Sequence, residues 1–153
     1  MTDDVEEPSN GRIVVGVDGS DASKDALAWA AHQAELTGAS LQAVMVWHVP
    51  TVAYGAPLAL PTEYDFEPQA RRTLDETIRQ VLGDDPMIKV SALVVEGHPA
   101  PELLEATAGA ELLVVGSRGH GAFTGMLIGS VSEHCVTHAP CPVVVVRHSP
   151  HPA

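Results

Sequence analysis

A glycine-rich segment, residues 116–130, has the composition of a loop that binds an anion. It directly follows an apolar run, Leu112–Val115, and directly precedes a stretch of helical character, Ser132–His138. Between a strand and a helix, glycine allows positive φ angles and lets a ligand approach the main chain closely. Several backbone N–H groups can then surround a phosphate. The segment therefore predicts a nucleotide-binding module, with ATP as the leading candidate.

The spacing of the glycines distinguishes this segment from two common phosphate-binding motifs. A Walker A motif, G-x-x-x-x-G-K-[ST], is absent from the sequence of the segment, because it contains no lysine. The dinucleotide fingerprint G-x-G-x-x-G fits Gly119 and Gly121 but has Thr124 in place of its third glycine. The pattern that is present is G-x2-G-x9-G-S, formed by Gly116, Gly119, Gly129 and Ser130.

The rest of the chain alternates apolar runs with helical patterns, which indicates the elements that position this loop. The predicted strands are residues 12–17, 41–49, 88–95, 112–115 and 142–146. Four helices are predicted. Ser20 or Ser23 caps the first, which Gly38 ends, and Gly83 ends the second, which runs through Ala70, Leu74, Ile78 and Val81. The third has Pro101 in its first turn and runs through Ala108 to a stop at Gly109, and the fourth extends from Ser132 to His138. Residues 51–68 carry three prolines and no clear period, as a lid or mobile loop does.

Several predicted strands, such as residues 143–146, are apolar throughout rather than alternating. Strands covered on both faces by helices have this pattern, so we predict an α/β fold with an open, doubly wound, five-stranded parallel sheet and helices on both faces. In such a sheet, ligands bind beyond the carboxyl ends of the strands where the winding reverses. If the strand order is 3-2-1-4-5, Asp18 and the glycine-rich segment face one crevice.

Length, composition and charge narrow the class of protein. A chain of 153 residues that is 45% hydrophobic predicts one domain with a sizeable core. The net charge of −12 argues against a general nucleic-acid binder, because such binding depends on Lys and Arg. No apolar stretch approaches the roughly 18 residues of a membrane span, and residues 1–10 do not resemble a signal peptide, so we expect a cytoplasmic protein that contacts no membrane. Residues 1–11 and 148–153 are predicted to be disordered tails around one nucleotide-binding domain, residues 12–147.

The glycine pattern resembles that of the universal stress protein family, and specifically its ATP-binding subgroup. Two further segments share the resemblance, Val14-Val15-Gly16-Val17-Asp18-Gly19-Ser20 and Pro140-Cys141-Pro142-Val143-Val144-Val145. The resemblance extends from Ile13 to Arg147. It implies the strand order 3-2-1-4-5, a homodimer and a bound ATP, which we expect to carry Mg²⁺.

The same resemblance assigns roles to individual residues. By matching position, Asp18 would lie near the ribose and phosphates, and Val46 would line the adenine pocket. The glycines of the pattern would flank the ribose and phosphates, Ser130 would hold a phosphate, and Arg118 is suited to a phosphate. The predicted binding residues are Gly16, Val17, Asp18, Val46, Val115, Gly116, Arg118, Gly119, Gly129, Ser130, Val131 and Ser132.

Two of these assignments compete with structural roles. Ser130 and Glu133 form the S-x-x-E pattern of a capping box, in which the hydroxyl bonds a helix N–H instead of a phosphate. The alternative role of Asp18 is that of a residue that, with Ser20, starts the helix after the first strand. His120, beside Gly119, is a further candidate for a phosphate contact.

A second cluster has the residue types of a metal site. His134 and His138 are four residues apart on one helical face, with Cys135 and Cys141 nearby. Zinc sites use three or four ligands in a defined set, which this pattern lacks. We therefore interpret the helix face as ordinary and solvated and the cysteines as buried or idle thiols, and we predict no metal site. We also interpret Trp29 and Trp47 as packing residues and not as residues on which a ligand stacks.

The last predicted strand gives a physical reason for a dimer. An apolar strand at the edge of a sheet is an aggregation hazard unless it is covered or paired. Pairing with a second copy across a two-fold axis would cover it. The predicted interface residues are Val143, Val144, Val145 and Val146.

The predicted function is that of an ATP-binding regulator of a stress response, with an unknown signalling partner. Hydrolysis requires a positioned water, a base and metal ligands, and the sequence offers no lysine in the loop and no clear base. No catalytic residue is therefore predicted. Slow ATP hydrolysis or autophosphorylation, binding of cAMP, and a nucleotide-free interaction module are the alternatives.

Overall fold

The computed structural model describes residues 11–48, 66–117 and 128–148. Five strands alternate with four helices along the chain. The strands are β1 (Arg12–Gly16), β2 (Ser40–Trp47), β3 (Val90–Glu96), β4 (Leu112–Gly116) and β5 (Val143–Val146), and the helices are α1 (Asp21–Thr37), α2 (Phe66–Leu82), α3 (Pro99–Ala106) and α4 (Ser130–His138). All neighbouring strands are parallel, in the order β3-β2-β1-β4-β5. The predicted fold class and strand order are confirmed.

The central position of β1 explains its uninterrupted apolar sequence. Val15 lies opposite Ala43 of β2 on one side and Val114 of β4 on the other. Val14 and Val15 point to opposite faces of the sheet, and neither is exposed. Both faces of β1 are therefore covered, and the direction of winding reverses between β1 and β4.

The sheet separates two layers of core. One layer lies between the sheet and helices α1 and α2, and it includes Ile13, Val15, Leu27, Leu41 and Leu74. The other lies between the sheet and helices α3 and α4, and it includes Val14, Val44, Leu103, Leu113 and Cys135. Alternate residues of one strand thus pack against helices on opposite faces of the sheet.

Helix α1 begins and ends at residues whose types favour those positions. Ser20 is its N-cap, and its Oγ accepts a hydrogen bond of 3.2 Å from the N–H of Ser23. Gly38 ends the helix in the left-handed conformation, at φ 75°. Ser20 and not Ser23 is therefore the cap, because the Ser23 hydroxyl donates to the carbonyl of Ser20 instead.

The bounds of two helices differ from the predicted ones. Helix α2 starts at Phe66, so the predicted connection 51–68 is wrong at its end, and residues 49–65 lie outside the described part. Pro68 lies in the first turn of α2, where a helix N–H has no partner to lose. Helix α3 starts at Pro99, with His98 as its N-cap, so Pro101 lies in the first turn as predicted, and the helix ends at Ala106 and not at Ala108.

Candidate functional site

The carboxyl ends of β1 and β4 lie side by side, where the winding of the sheet reverses. Ser117 follows β4, and its N–H donates a hydrogen bond of 2.8 Å to the carbonyl of Val146 on β5. The carbonyl of Ser117 in turn accepts a hydrogen bond of 2.5 Å from the N–H of Gly129. The two ends of the glycine-rich segment therefore meet, and the start of α4 lies beside the end of β4. Apart from its position after a predicted strand, nothing in the sequence indicates this role of Ser117.

Gly116 is required by packing. A Cβ atom at this position would lie 2.9 Å from the carbonyl carbon of Ala22 and 3.0 Å from its oxygen. Because Ala22 belongs to the first turn of α1, a side chain at residue 116 would push that helix away from β4. The first glycine of the motif thus sets the distance between β4 and α1.

Helix α4 starts at Ser130, and this corrects two predictions. Its N-cap is Gly129, with φ −73° and ψ 162°, and the carbonyl of Gly129 accepts a hydrogen bond of 2.9 Å from the N–H of Glu133. The capping-box interpretation is wrong, because Ser130 is the first helical residue and not the cap, and no side chain bonds the cap position. The predicted helix start at Ser132 is also two residues late. The N–H groups of residues 130–132 have no acceptor within the helix, and this end of α4 carries a partial positive charge.

Ser132 holds the beginning of α4 against β4. Its side chain is buried, and its hydroxyl donates a short hydrogen bond to the carbonyl oxygen of Gly116. This bond joins the first turn of α4 to the last residue of β4 across the glycine-rich segment. Ser132 therefore positions the helix end through its hydroxyl, and its main-chain N–H is the group that points along the helix axis. Ser130, in contrast, has an exposed side chain.

Asp18 lies just beyond β1, at the start of α1, with its side chain exposed. Its Oδ1 accepts hydrogen bonds from the N–H of Ser20 at 2.9 Å and from the hydroxyl of Ser20 at 2.5 Å. Its own N–H lies 3.3 Å from the Ser23 hydroxyl oxygen. Gly19 supplies the positive φ, 84°, that this tight turn requires. The turn fixes the direction of the Asp18 carboxylate, and the helix-start interpretation of this residue also describes the geometry correctly.

The apolar residues of the predicted site are placed differently from one another. Val17 is buried in the core layer of α1 and α2, and Val115 in the layer of α3 and α4. Both can present only main-chain atoms to the crevice. Val46 keeps part of its side chain exposed near the end of β2. Gly16 packs on Leu103 of α3, whose Cδ1 would lie 3.1 Å from an added Cβ atom.

Three residues of the glycine-rich segment with predicted phosphate contacts, Arg118, Gly119 and His120, lie outside the described residues. Among residues 11–48, 66–117 and 128–148, the structure brings Asp18, the end of β4 and the first turn of α4 to the carboxyl ends of the central strands. A carboxylate and a helix N-terminus on either side of a strand reversal can bind a ligand that carries both hydroxyl and anionic groups.

Cys135, Cys141 and Trp47 pack against neighbouring residues, whereas Trp29 is exposed. Burial raises the pKa of the Cys135 thiol to about 11 and also raises the pKa of Cys141, so both stay protonated at neutral pH. Trp47 stacks on Phe66 of α2, with ring centroids 6.2 Å apart and planes 14° apart. The sequence did not indicate this contact, because Phe66 was assigned to the preceding loop. Trp29 lies on α1 and is 38% exposed.

Comparisons with known proteins agree with this architecture. The universal stress protein family matches residues 9–147. A universal stress protein of Mycolicibacterium smegmatis is 38% identical over an alignment of 139 positions, and the alignment covers 88% of this chain and 45% of that protein. The chain spans about half the length of the curated relatives that it matches.

Solved structures of two universal stress proteins superpose on most of the chain. One, in complex with cAMP, is 25% identical and has a TM-score of 0.68 over 91% of this chain and 98% of its own. The other, UspA of Lactobacillus plantarum, is also 25% identical, with a TM-score of 0.69 over 90% of this chain and 98% of its own. In the described part of the chain, no helix is both long enough and apolar enough to span a bilayer. The family match covers the whole strand-and-helix region, and the chain belongs to the universal stress protein family.

Proposed function

We propose that this protein binds ATP beyond the carboxyl ends of β1 and β4, and that it acts as a nucleotide-dependent regulator of a stress response. The observation that carries the proposal is the position of the α4 N-terminus. The Ser132–Gly116 and Gly129–Ser117 hydrogen bonds hold its first N–H groups beside the end of β4. A helix N-terminus held in this way is a binding site for phosphate. The cAMP complex of a 25% identical relative supports a nucleotide as the ligand.

Each part of the nucleotide has a proposed partner. The phosphates would accept hydrogen bonds from the main-chain N–H groups of residues 130–132 and from the exposed Ser130 hydroxyl, whereas the N–H of Gly129 already donates to the carbonyl of Ser117. The ribose would lie toward the fixed carboxylate of Asp18, and the adenine toward the partly exposed Val46. Arg118 and Gly119 are proposed phosphate contacts on sequence grounds alone. Mg²⁺ would be bound chiefly by the phosphates, as Mg²⁺ in nucleotide sites usually is, with Asp18 as the nearest proposed carboxylate.

Binding rather than rapid turnover is the proposed activity. Oδ1 of Asp18 already accepts two hydrogen bonds from Ser20, which lowers its value as a general base. Slow hydrolysis or autophosphorylation is the enzymatic alternative. It would require steady-state ATP turnover well above background that Asp18→Ala abolishes.

The first test is a calorimetric titration of the purified protein with ATP and, separately, with cAMP. We expect saturable binding of one ATP per chain, because the α4 N-terminus favours a highly charged phosphate chain over a single phosphodiester. cAMP is the second candidate, since a solved relative holds it. Tighter binding of cAMP than of ATP would replace ATP in the proposal. Binding of neither would leave the nucleotide-free interaction module as the function.

A homodimer through β5 is the proposed assembly. Strand β5 is at the edge of the sheet, and His148, just beyond it, lies 2.6 Å from Asp25 of α1. Trp29 and Leu36 follow Asp25 by one and three helical turns, so they lie on the same flank of α1, toward β5. They are 38% and 69% exposed. A second copy paired at β5 would cover this apolar flank.

We expect Trp29→Lys to dissociate the dimer, seen as a fall in the sedimentation coefficient to that of a monomer. Buried tryptophans commonly contribute about 2 kcal/mol or more to an interface. Met87→Lys is the matched control. Met87 is 90% exposed and precedes β3, at the opposite edge of the sheet, so this variant should sediment as the unchanged protein does. A monomeric starting protein, or a dimer that tolerates Trp29→Lys, would rule out this interface.

A further inference from the structure

Two histidines on the exposed side of α4 lie in contact with each other. The ring centroids of His134 and His138 are 4.4 Å apart, and the ring planes are tilted by 49°. Both side chains are exposed. The contact follows from helix geometry, because residues at positions i and i+4 lie one above the other on the same face.

The helix that carries the pair is firmly held. Cys135, between the two histidines in sequence, is completely buried in the core layer of α3 and α4. The hydroxyl of Ser132 fixes the first turn of α4 to Gly116, and the N–H of Ala139 closes the last turn on the carbonyl of Cys135 at 2.9 Å. The backbone positions of both histidines are therefore set before any ligand arrives, which lowers the entropy cost of bringing two imidazoles onto one ion.

The electrostatic surroundings of the pair favour a cation. His138 is in the last turn of α4, where the unpaired carbonyl groups give the helix a partial negative charge. The whole chain carries a net charge of −12. Glu133, next to His134, adds an exposed carboxylate on the same helix. A divalent ion at the two rings would thus meet a field of favourable sign.

We propose that His134 and His138 form a two-imidazole chelate for a late first-row divalent transition ion, with Cu²⁺ bound most tightly. Imidazole nitrogen is a preferred ligand of Cu²⁺, Ni²⁺ and Zn²⁺, and Cu²⁺ forms the strongest complexes of this series. Across the described ranges no group of three or more His, Cys, Asp and Glu side chains could hold a metal ion. The site is therefore an open one on the surface of α4, in which water completes the coordination. It is distinct from the closed zinc site that the sequence argued against.

The test is a calorimetric titration of the whole protein with Cu²⁺ in a buffer that contains glycine as a weak competitor. We expect one site per chain that is tighter than any other. His134→Ala and His138→Ala should each weaken it about 100-fold, because the second imidazole binds as an intramolecular ligand. Both side chains are exposed, so neither substitution should affect folding.

A register variant separates a chelate from nonspecific binding by histidine. His138→Ala combined with Val136→His keeps the number of histidines but places the second ring two residues from the first, where it faces another side of the helix. Val136 is 52% exposed and accommodates the change. This variant should bind Cu²⁺ as weakly as His138→Ala alone, and His32→Ala on α1 should bind as the unchanged protein does. Equal affinity of the register variant and the unchanged protein, or no loss in either single variant, would overturn the proposal.

Discussion

Replacing Gly116 by alanine should lower the free energy of unfolding by about 1–3 kcal/mol, and replacing it by valine should lower it further. The added Cβ would lie 2.9 Å from the carbonyl carbon of Ala22, within the backbone of α1. A helix backbone cannot move aside as a side chain can, so α1 and β4 would have to separate. Gly116 is not among the glycines with positive φ, and the cost is therefore steric and not conformational.

Gly16→Ala is the matched control for this prediction. Gly16 ends β1 as Gly116 ends β4, and its added Cβ would meet the Leu103 methyl carbons at 3.1 and 3.3 Å. A leucine side chain can shift by a few tenths of an ångström. Alanine also lowers the conformational entropy of the unfolded chain, which stabilises the folded protein by about 0.4–1 kcal/mol. We expect Gly16→Ala to change stability much less than Gly116→Ala in urea unfolding. Equal losses in the two variants would show that contact with the α1 backbone is not what requires glycine at residue 116.

The reason for the glycine at residue 116 illustrates what the sequence could predict. The spacing of the motif predicted the location of the site, and the structure places β4 and α4 there. The family resemblance assigns Gly116 to a ligand site, and the structure adds close packing against Ala22, almost a hundred residues earlier in the chain. A contact of that kind depends on the packing of distant elements, and no local pattern records it.

The elements themselves were predictable where burial determines them. The central strands of the sheet, β1 and β4, are apolar on both faces, and this pattern predicts a parallel sheet covered by helices. Helix starts were less predictable, because proline and serine are each favourable at more than one position of a first turn. For this reason Pro101 indicates the first turn of α3 but not its first residue, Pro99, and Ser130 matches a cap that Gly129 provides.

The position of the α4 N-terminus depends on hydrogen bonds that the sequence does not reveal. The Ser132 hydroxyl reaches the carbonyl of Gly116, sixteen residues earlier, and the N–H of Gly129 reaches the carbonyl of Ser117. Ser132 was predicted as a binding residue from family resemblance. Its hydroxyl has an internal partner, so any contribution to binding is expected from its main chain. The proposed anion site thus consists mainly of backbone N–H groups, with the Ser130 hydroxyl beside them, and a test of it must alter the charge at the helix end rather than only remove a side chain.

Replacing Ser130 by aspartate makes that test, because it should change stability and ATP affinity in opposite directions. Ser130 is the exposed first residue of α4, and a carboxylate there interacts favourably with the helix dipole by about 0.3–1 kcal/mol. The same carboxylate would occupy the N–H groups proposed for the phosphates and would repel them. Since a hydrogen bond to a charged group contributes about 1.5–3 kcal/mol, ATP affinity should fall about 100-fold. Thermal unfolding and calorimetric titration measure the two effects.

Thr137→Asp adds the same charge at the other end of the same helix, and it should have the opposite effect on stability and no effect on ATP affinity. Thr137 is exposed in the last turn of α4, where a carboxylate opposes the dipole and where the hydroxyl bond to the carbonyl of Glu133 would also be lost. This variant should be slightly less stable and should bind ATP normally. If ATP affinity fell equally in both variants, the added charge would act at long range and not at the α4 N-terminus. If Ser130→Asp bound ATP normally, the phosphates would have to lie elsewhere, because no ligand anion can share those N–H groups with a carboxylate without a loss of affinity.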